Sequence, residues 1–375
     1  MSARLDKITP FIVMDILRKA RSMDNAVHME VGEPDLEPSP RVLEAYEKAI
    51  KEGRFYYTEA KGLKRLREAI SEYYQSRYKV EISPDRIIIT PGTSGAFLVV
   101  FAMLMNEKKR LILSDPSYPC YKNFSYFLGA DPIFVNVGRE TCYEITPEAI
   151  RDVREAGSIM VSSPANPTGN LYTRHSLQRL IEAADEKGLW FISDEIYHGL
   201  VYDSRECSAL EISDNVIVIN SFSKYFCMPG FRVGWMILPD KLVRQAEIIV
   251  QNIFIAANTP SQYAACEAFD EEHLNRVKTT FKQRRDYLYN ALKEVFDIDS
   301  QPEGAFYIWA DVSRYSNDSF DFCNRLLQEK AVAITPGIDF GVNQTNRYVR
   351  LAYTRDLEEL KEGVRRIREF VEELS

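Results

Sequence analysis

The sequence predicts an α/β protein: a large domain with a mostly parallel seven-stranded sheet sandwiched by helices, and a small α+β domain. Three observations carry this. Between residues 86 and 240, short apolar runs alternate with amphipathic stretches. Those runs are apolar throughout rather than at every second position, as in strands buried on both faces of a parallel sheet. After residue 240 the pattern changes to long helices followed by two separated strand-like runs. The chain has 375 residues, enough for more than one domain of about 100–200 residues.

Taken in order, the strand candidates are residues 86–90, 110–114, 133–136, 158–162, 189–193, 216–220 and 233–238. Helical patterns fill most gaps, as at 95–105 and 175–187. The run 233–238 follows 216–220 after a loop too short for a helical crossover, so it is expected antiparallel to its neighbours. Long helices run to about residue 296. Then come a strand-like run at 305–310, a helix near 320–330, a strand-like run at 348–352 and a charged terminal helix from Asp356. The N-terminal segment is too short to fold alone and is expected to pack on this second unit. The large domain is therefore expected at 47–290, and the small domain at 1–46 with 291–375. The Pro-rich stretch 33–40 reads as an ordered irregular loop, because proline restricts both itself and its predecessor.

Composition narrows the function. Hydrophobic residues at 45% and charged residues at 27% are those of a globular protein with a sizeable core. A net charge of −8 with no long basic run argues against a nucleic-acid partner, while leaving room for a local basic pocket. The six cysteines form no C-x-x-C pair and read as free thiols. The four histidines form no H-x-x-x-H pair, so no metal site is expected. No apolar run reaches the ~18 residues of a membrane span, and the N-terminus is not a signal peptide. A cytoplasmic enzyme is the expectation.

Four loops after strands carry candidate chemistry. Thr90-Pro-Gly-Thr-Ser-Gly-Ala96 joins a strand to a helix whose free N–H groups suit a phosphate, although a capped helix after a tight turn reads the same way. It is neither G-x-G-x-x-G nor a Walker A loop. Ser162-Ser-Pro-Ala-Asn-Pro-Thr-Gly-Asn170 places Asn166 between two prolines at a carboxyl end of the sheet, or is an ordinary turn. Asp194 is the first charged residue after an apolar run. It could pair with a ring-nitrogen cation or cap a helix. Lys224 follows Ser221 and Ser223, and Arg232 lies eight residues on. Most lysines are solvated, but this set suits an anionic ligand bearing a carbonyl, with which lysine forms a Schiff base.

Together these motifs resemble those of fold-type I pyridoxal-phosphate enzymes, specifically the class I/II aminotransferases related to aspartate aminotransferase. The resemblance runs from Gly32-Glu-Pro-Asp35 to Arg350. It includes Tyr56-Tyr-Thr58, Gly62 with Leu66-Arg-Glu-Ala69, Asp115-Pro-Ser-Tyr118, Asn166-Pro-Thr-Gly169, Asp194 with Tyr197, Ser223-Lys224 with Arg232, Pro302-Glu-Gly-Ala-Phe-Tyr307, and Pro336-Gly337 with Phe340-Gly341.

The resemblance implies roles. Lys224 holds pyridoxal 5′-phosphate as a Schiff base, and its freed amine shuttles a proton. Asp194 keeps the pyridine nitrogen protonated, which makes the ring an electron sink. Tyr197 and Asn166 bond the ring oxygen. Tyr118 stacks on the ring, or is simply a packed aromatic. Thr93, Ser94, Ser221, Ser223 and Arg232 hold the phosphate, and Tyr57 reaches the phosphate of a neighbouring subunit in a homodimer. Arg350 clamps the substrate carboxylate; as a surface salt bridge it would sit oddly inside the apolar run 348–352. The backbone of Gly32 lies by the same carboxylate. The implied reaction is a ping-pong transfer of an amino group, through the pyridoxamine form, between an L-amino acid and a 2-oxo acid.

The substrate side chain is less legible. Some acid-specific relatives carry lysine where this chain has Ser94, so the resemblance does not imply a preference for aspartate. The segment 10–13 could line the side-chain pocket and favour an apolar or small group, or it could merely pack a helix. Three rivals share parts of the reading. A cysteine-type C–S β-lyase of the same fold would use Lys224, Asp194 and Arg350. A non-catalytic cofactor sensor would need a DNA-binding module, for which little chain precedes Gly32. An unrelated phosphate-binding α/β protein would not take up the cofactor.

Overall fold

A computed structural model describes residues 5–106 and 109–374. Seven strands form the large sheet in the order Ile87–Thr90, Gly234–Ile237, Ile217–Ser221, Trp190–Asp194, Ala156–Ser162, Arg110–Asp115 and Ile133–Asn136. Gly234–Ile237 runs antiparallel to both neighbours, as expected from the short loop before it. The other pairs are parallel. Alternation of side chains explains why the strands are apolar throughout. Ile88, Ile217, Ile219 and Met236 enter one core; Ile87, Ile89, Val218, Trp235 and Ile237 enter the other.

Helices Gly92–Leu104 and Asp240–Ile253 pack together on the first of these faces. Helices Lys64–Tyr78 and Arg174–Glu186 contribute their buried positions to the other. Gly92–Leu104 starts three residues earlier than expected. Pro91 and Gly92 (φ +67°) complete the turn in one step, so Thr93 and Ser94 already lie in the first helical turn.

The smaller α+β unit has the antiparallel order Thr335–Pro336, Tyr348–Ala352, Tyr307–Asp311. Val27–His28 pairs in parallel with Val332–Ala333, so the N-terminal segment does pack on the C-terminal part. Helix Leu357–Leu374 rests on Glu271–Leu292 and Ser319–Lys330. Tyr307–Asp311 begins two residues later than expected, because Ala305 turns at φ +58° and its N–H bonds Leu200 O instead of a strand partner. The expected boundaries at 46/47 and 290/291 fall within helices Pro40–Lys51 and Glu271–Leu292. Among the described residues, no helix is long and apolar enough to cross a membrane.

Candidate active site

Strand register gathers the candidate residues. Thr90 and Ser221 both pair with Gly234, and Asp194 pairs with Ser162. Since Gly234–Ile237 runs antiparallel, its beginning lies beside the carboxyl ends of its neighbours, where an open α/β sheet binds ligands. A cleft of about 300 Å³ opens there, closed on the far side by the small sheet. Of the expected residues, Gly32, Thr93, Ser94, Tyr118, Asn166, Asp194, Tyr197, Ser223, Lys224, Arg232 and Arg350 line it.

One end of the cleft is built for an anion. No side chain caps the N-terminus of helix Gly92–Leu104, and Thr93 and Ser94 of its first turn line the cleft. Arg232, itself left-handed at φ +56°, lies against it: a Cβ on Gly92 would stand 2.5 Å from Arg232 Nη2. A Cβ on Gly234 would stand 2.7 Å from the Gly92 carbonyl carbon, so two glycines permit this approach. Ser223 faces the cleft. Ser221 lies one layer behind it, donating to Val233 O at 3.0 Å and sharing a 2.9 Å hydrogen bond with the Ser223 hydroxyl. Of the two expected serines, Ser223 lines the cleft, whereas the Ser221 hydroxyl is engaged by Val233 O just before the next strand.

At the middle of the cleft, Lys224 Nζ donates to Gly32 O at 2.7 Å. Burial pulls its ammonium down to about 8, with Arg350 and Arg232 acting the same way and Glu33 and Asp194 opposing. Asp194 is 2% exposed. Its Oδ1 accepts from Ile196 N at 3.1 Å, and its Oδ2 accepts from the Tyr121 hydroxyl at 2.5 Å. Burial lifts its carboxyl to about 6, and those two donors hold it from rising further. Asp194 thus lines the cleft and caps a turn; no helix follows it, so the helix-cap reading is corrected to a turn cap. The Tyr197 hydroxyl shares a 2.9 Å hydrogen bond with that of Tyr307, and burial raises both phenols above their usual range.

The opposite end belongs to the small sheet. Arg350 is 5% exposed, with its guanidinium 4.3 Å from the Tyr307 ring centre and 4.7 Å from that of Phe340. Its Nη1 donates to Asn166 Oδ1 at 2.8 Å and its Nη2 to Glu30 O at 2.6 Å. Its Nε is buried without a hydrogen-bond partner among the described residues. Such an orphaned donor costs about 1–3 kcal/mol. A Cβ on Gly32 would collide with the Tyr307 hydroxyl at 1.7 Å, so that position must be glycine for the two sheets to meet here. Tyr57 is different. It stands 77% exposed, beside Phe55 and Tyr56, and does not line the cleft of its own chain.

A family description, "Aminotransferase class I and II", matches residues 24–367. The chain belongs to the class I and II aminotransferases. These are fold-type I pyridoxal-phosphate-dependent enzymes related to aspartate aminotransferase. The chain is 38% identical to a (5-formylfuran-3-yl)methyl phosphate transaminase of Methanocaldococcus jannaschii, over 99% of each chain. It is 33% identical to a valine–pyruvate aminotransferase of Mycobacterium tuberculosis, over 96% of each. The crystal structure of an aminotransferase from Mycobacterium tuberculosis superimposes with a TM-score of 0.95 at 33% identity, covering 100% of this chain and 99% of that one.

The aminotransferase cleft fits the family's cofactor on its own evidence. The uncapped helix end with Arg232 suits a phosphate, Asp194 suits a protonated ring nitrogen, and Lys224 is an amine weakened by burial. Sequence reasoning missed Tyr121 and Glu30, and gave Tyr307 no role although it closes the motif Pro302–Tyr307. Tyr121 follows Tyr118 by three residues across one helix start, a spacing that could have flagged it. Glu30 carries no local signal, because only its backbone contact with Arg350 brings it in.

Proposed function

We propose that this aminotransferase binds pyridoxal 5′-phosphate at Lys224 and transfers an amino group between an L-amino acid and a 2-oxo acid in two successive half-reactions. When bound, the cofactor supplies a carbonyl for the substrate nitrogen and a ring that accepts electron density from the substrate α-carbon. The protein does the rest. The N–H groups at Thr93 and Ser94, with Ser223 and Arg232, hold the phosphate. Asp194 would meet the ring nitrogen, Asn166 and Tyr197 the ring oxygen, and Tyr118 the ring face. Arg350 takes the substrate carboxylate and so fixes which α-carbon bond faces Lys224. With a pKa drawn down to about 8, Lys224 Nζ is able to accept the α-carbon proton near neutral pH and to return it.

The observation that carries this reading is the weakened amine of Lys224 in one cleft with a buried carboxylate and the half-satisfied guanidinium of Arg350. The exposed aromatic run at 55–57, with Ile253 and Ile255 also exposed, supports a homodimer in which Tyr57 completes the neighbouring site.

Two measurements test the reading. Borohydride treatment of cofactor-loaded protein, followed by peptide mapping, is expected to label Lys224; a label elsewhere, or none, would sink it. Mixing the loaded protein with single amino acids and no acceptor is expected to convert the cofactor to its amine form and release the matching 2-oxo acid. Pyruvate and sulfide released catalytically from cysteine, with no conversion, would replace transamination by β-elimination.

A further inference from the structure

Part of the cleft wall is made by the N-terminal segment. Phe11, Val13 and Met14 line the cleft, with Phe11 edge-on to Tyr118 at 5.9 Å between ring centres. Nothing local holds them there. Helix Ile12–Ala20 has phenylalanine at its N-cap, which offers no side-chain acceptor for the free N–H groups. The acceptor comes from 327 residues away. Asp339 Oδ1 accepts from Ile12 N and Oδ2 from Val13 N, each at 3.2 Å. Asp339 is 4% exposed, on the turn Gly337–Asp339 that follows a strand paired with that of Arg350.

The other end of the segment is tied to the large domain. Thr9 N donates to Asn123 Oδ1 and Asn123 Nδ2 to Thr9 O, both at 3.2 Å. Lys7 pairs with Asp131 at 2.5 Å, an exposed pair of little energetic weight. The segment therefore spans the cleft mouth, anchored on the small unit by Asp339 and on the large one by Asn123.

Charge completes the argument. Among the described residues, the basic side chains lining the cleft are Lys224, Arg232 and Arg350, and each already has a task. The remaining carboxylate on the wall besides Asp194 is Glu33. A second carboxylate on the substrate would meet Phe11, Val13, Met14 and Glu33 with no counter-charge from this chain.

We infer that Asp339 and Asn123 are positioning residues that hold Phe11, Val13 and Met14 as an apolar wall, and that this wall selects amino donors with uncharged apolar side chains. The inference rests on the transaminase reading, and the test separates the two. In half-reactions of the cofactor-loaded protein, leucine, methionine and phenylalanine should exceed aspartate and glutamate in kcat/KM by roughly tenfold or more. If an acidic donor ranks first, the inference falls and the transaminase reading stands. If no donor reacts, both fall.

Asp339→Ala should lower the leucine-to-alanine ratio of kcat/KM by about tenfold, mainly through KM, with Asp339→Asn between it and the parent. Amide exchange at Ile12 and Val13 should quicken in the alanine variant. Faster exchange with an unchanged ratio would show that the segment is held but does not select. Should Asp339→Ala fail to fold, Asn123→Ala releases the other anchor and should move the ratio the same way by a smaller factor. A ratio equal to that of the parent in that variant overturns the inference.

Discussion

The two ends of the cleft are held by different means. At the large-sheet end the functional groups hang on backbone pairing. Thr90, Ser221 and Gly234 are in register, and helix Gly92–Leu104 starts directly from the strand end. At the small-sheet end the groups depend on contacts between segments far apart in the chain: Arg350 on Asn166 and Glu30, and the N-terminal helix on Asp339. In the proposed roles, the cofactor-binding groups gather at the first end and the groups that meet the substrate at the second. Damage at the first end should therefore appear in kcat and cofactor retention, and damage at the second in KM.

The largest effect should come from Lys224→Ala. Removal of the amine takes away both the covalent anchor and the proton carrier, so turnover should fall by at least about a thousandfold. Steady-state rates, with circular dichroism to confirm the fold, measure this; turnover near that of the parent would remove Lys224 from the chemistry. Next, Asp194→Ala should lower kcat by roughly a hundredfold or more and speed cofactor loss on gel filtration. It also strands the Tyr121 hydroxyl, which donates to that carboxylate. An unchanged kcat would mean that the carboxylate does not support the ring.

Arg350→Lys tests the opposite end. Lysine keeps the charge but loses the planar fork and the packing between Tyr307 and Phe340. The expected result is a KM for the amino acid raised roughly tenfold to a hundredfold, with kcat less affected. A fall in kcat with KM unchanged would break the division between the two ends.

The same division decides what could be read from the sequence. The large-sheet end was legible because its candidate residues adjoin apolar runs: Asp194 closes one strand, Lys224 lies three residues past another, and Arg232 comes two before the next. Local periodicity placed the strands within about two residues, and an open sheet's carboxyl edge then located the site. The contact between Arg350 and Glu30 was not legible, since nothing in either segment points to the other. Asp339 reads as one more acidic turn residue until the uncapped helix at Ile12 is laid against it. Tyr121 lay between these cases, with a spacing from Tyr118 that was visible but unused.

The smallest expected effect separates two neighbouring carboxylates. Asp194 faces the cleft, while Glu195, next in sequence and wholly buried, turns into the fold. Its oxygens accept from Ala209 N at 2.9 Å and the Ser208 hydroxyl at 2.9 Å, and its Oε2 lies 3.4 Å from His198 Nδ1. Burial lifts its carboxyl to about 8, against an ordinary 4.5. Between those values the folded chain keeps a proton that the unfolded chain has released. The contribution to stability is therefore full below pH 4.5 and is lost as pH rises toward 8. His198 has the opposite sign: burial lowers it from 6.5 to about 4, so its contribution is present above pH 6.5 and lost as pH falls toward 4. Glu195→Gln removes the first dependence and leaves the second. Glutamine turns an NH2 toward groups that donate, so the variant should melt lower at every pH; the level carries no information and the slope does. The melting temperature of the parent minus that of the variant should shrink by a few degrees, in order of magnitude, between pH 5 and pH 8. A difference that stays flat or widens would mean that Glu195 is ionised in the folded protein throughout, held so by its hydrogen-bond donors.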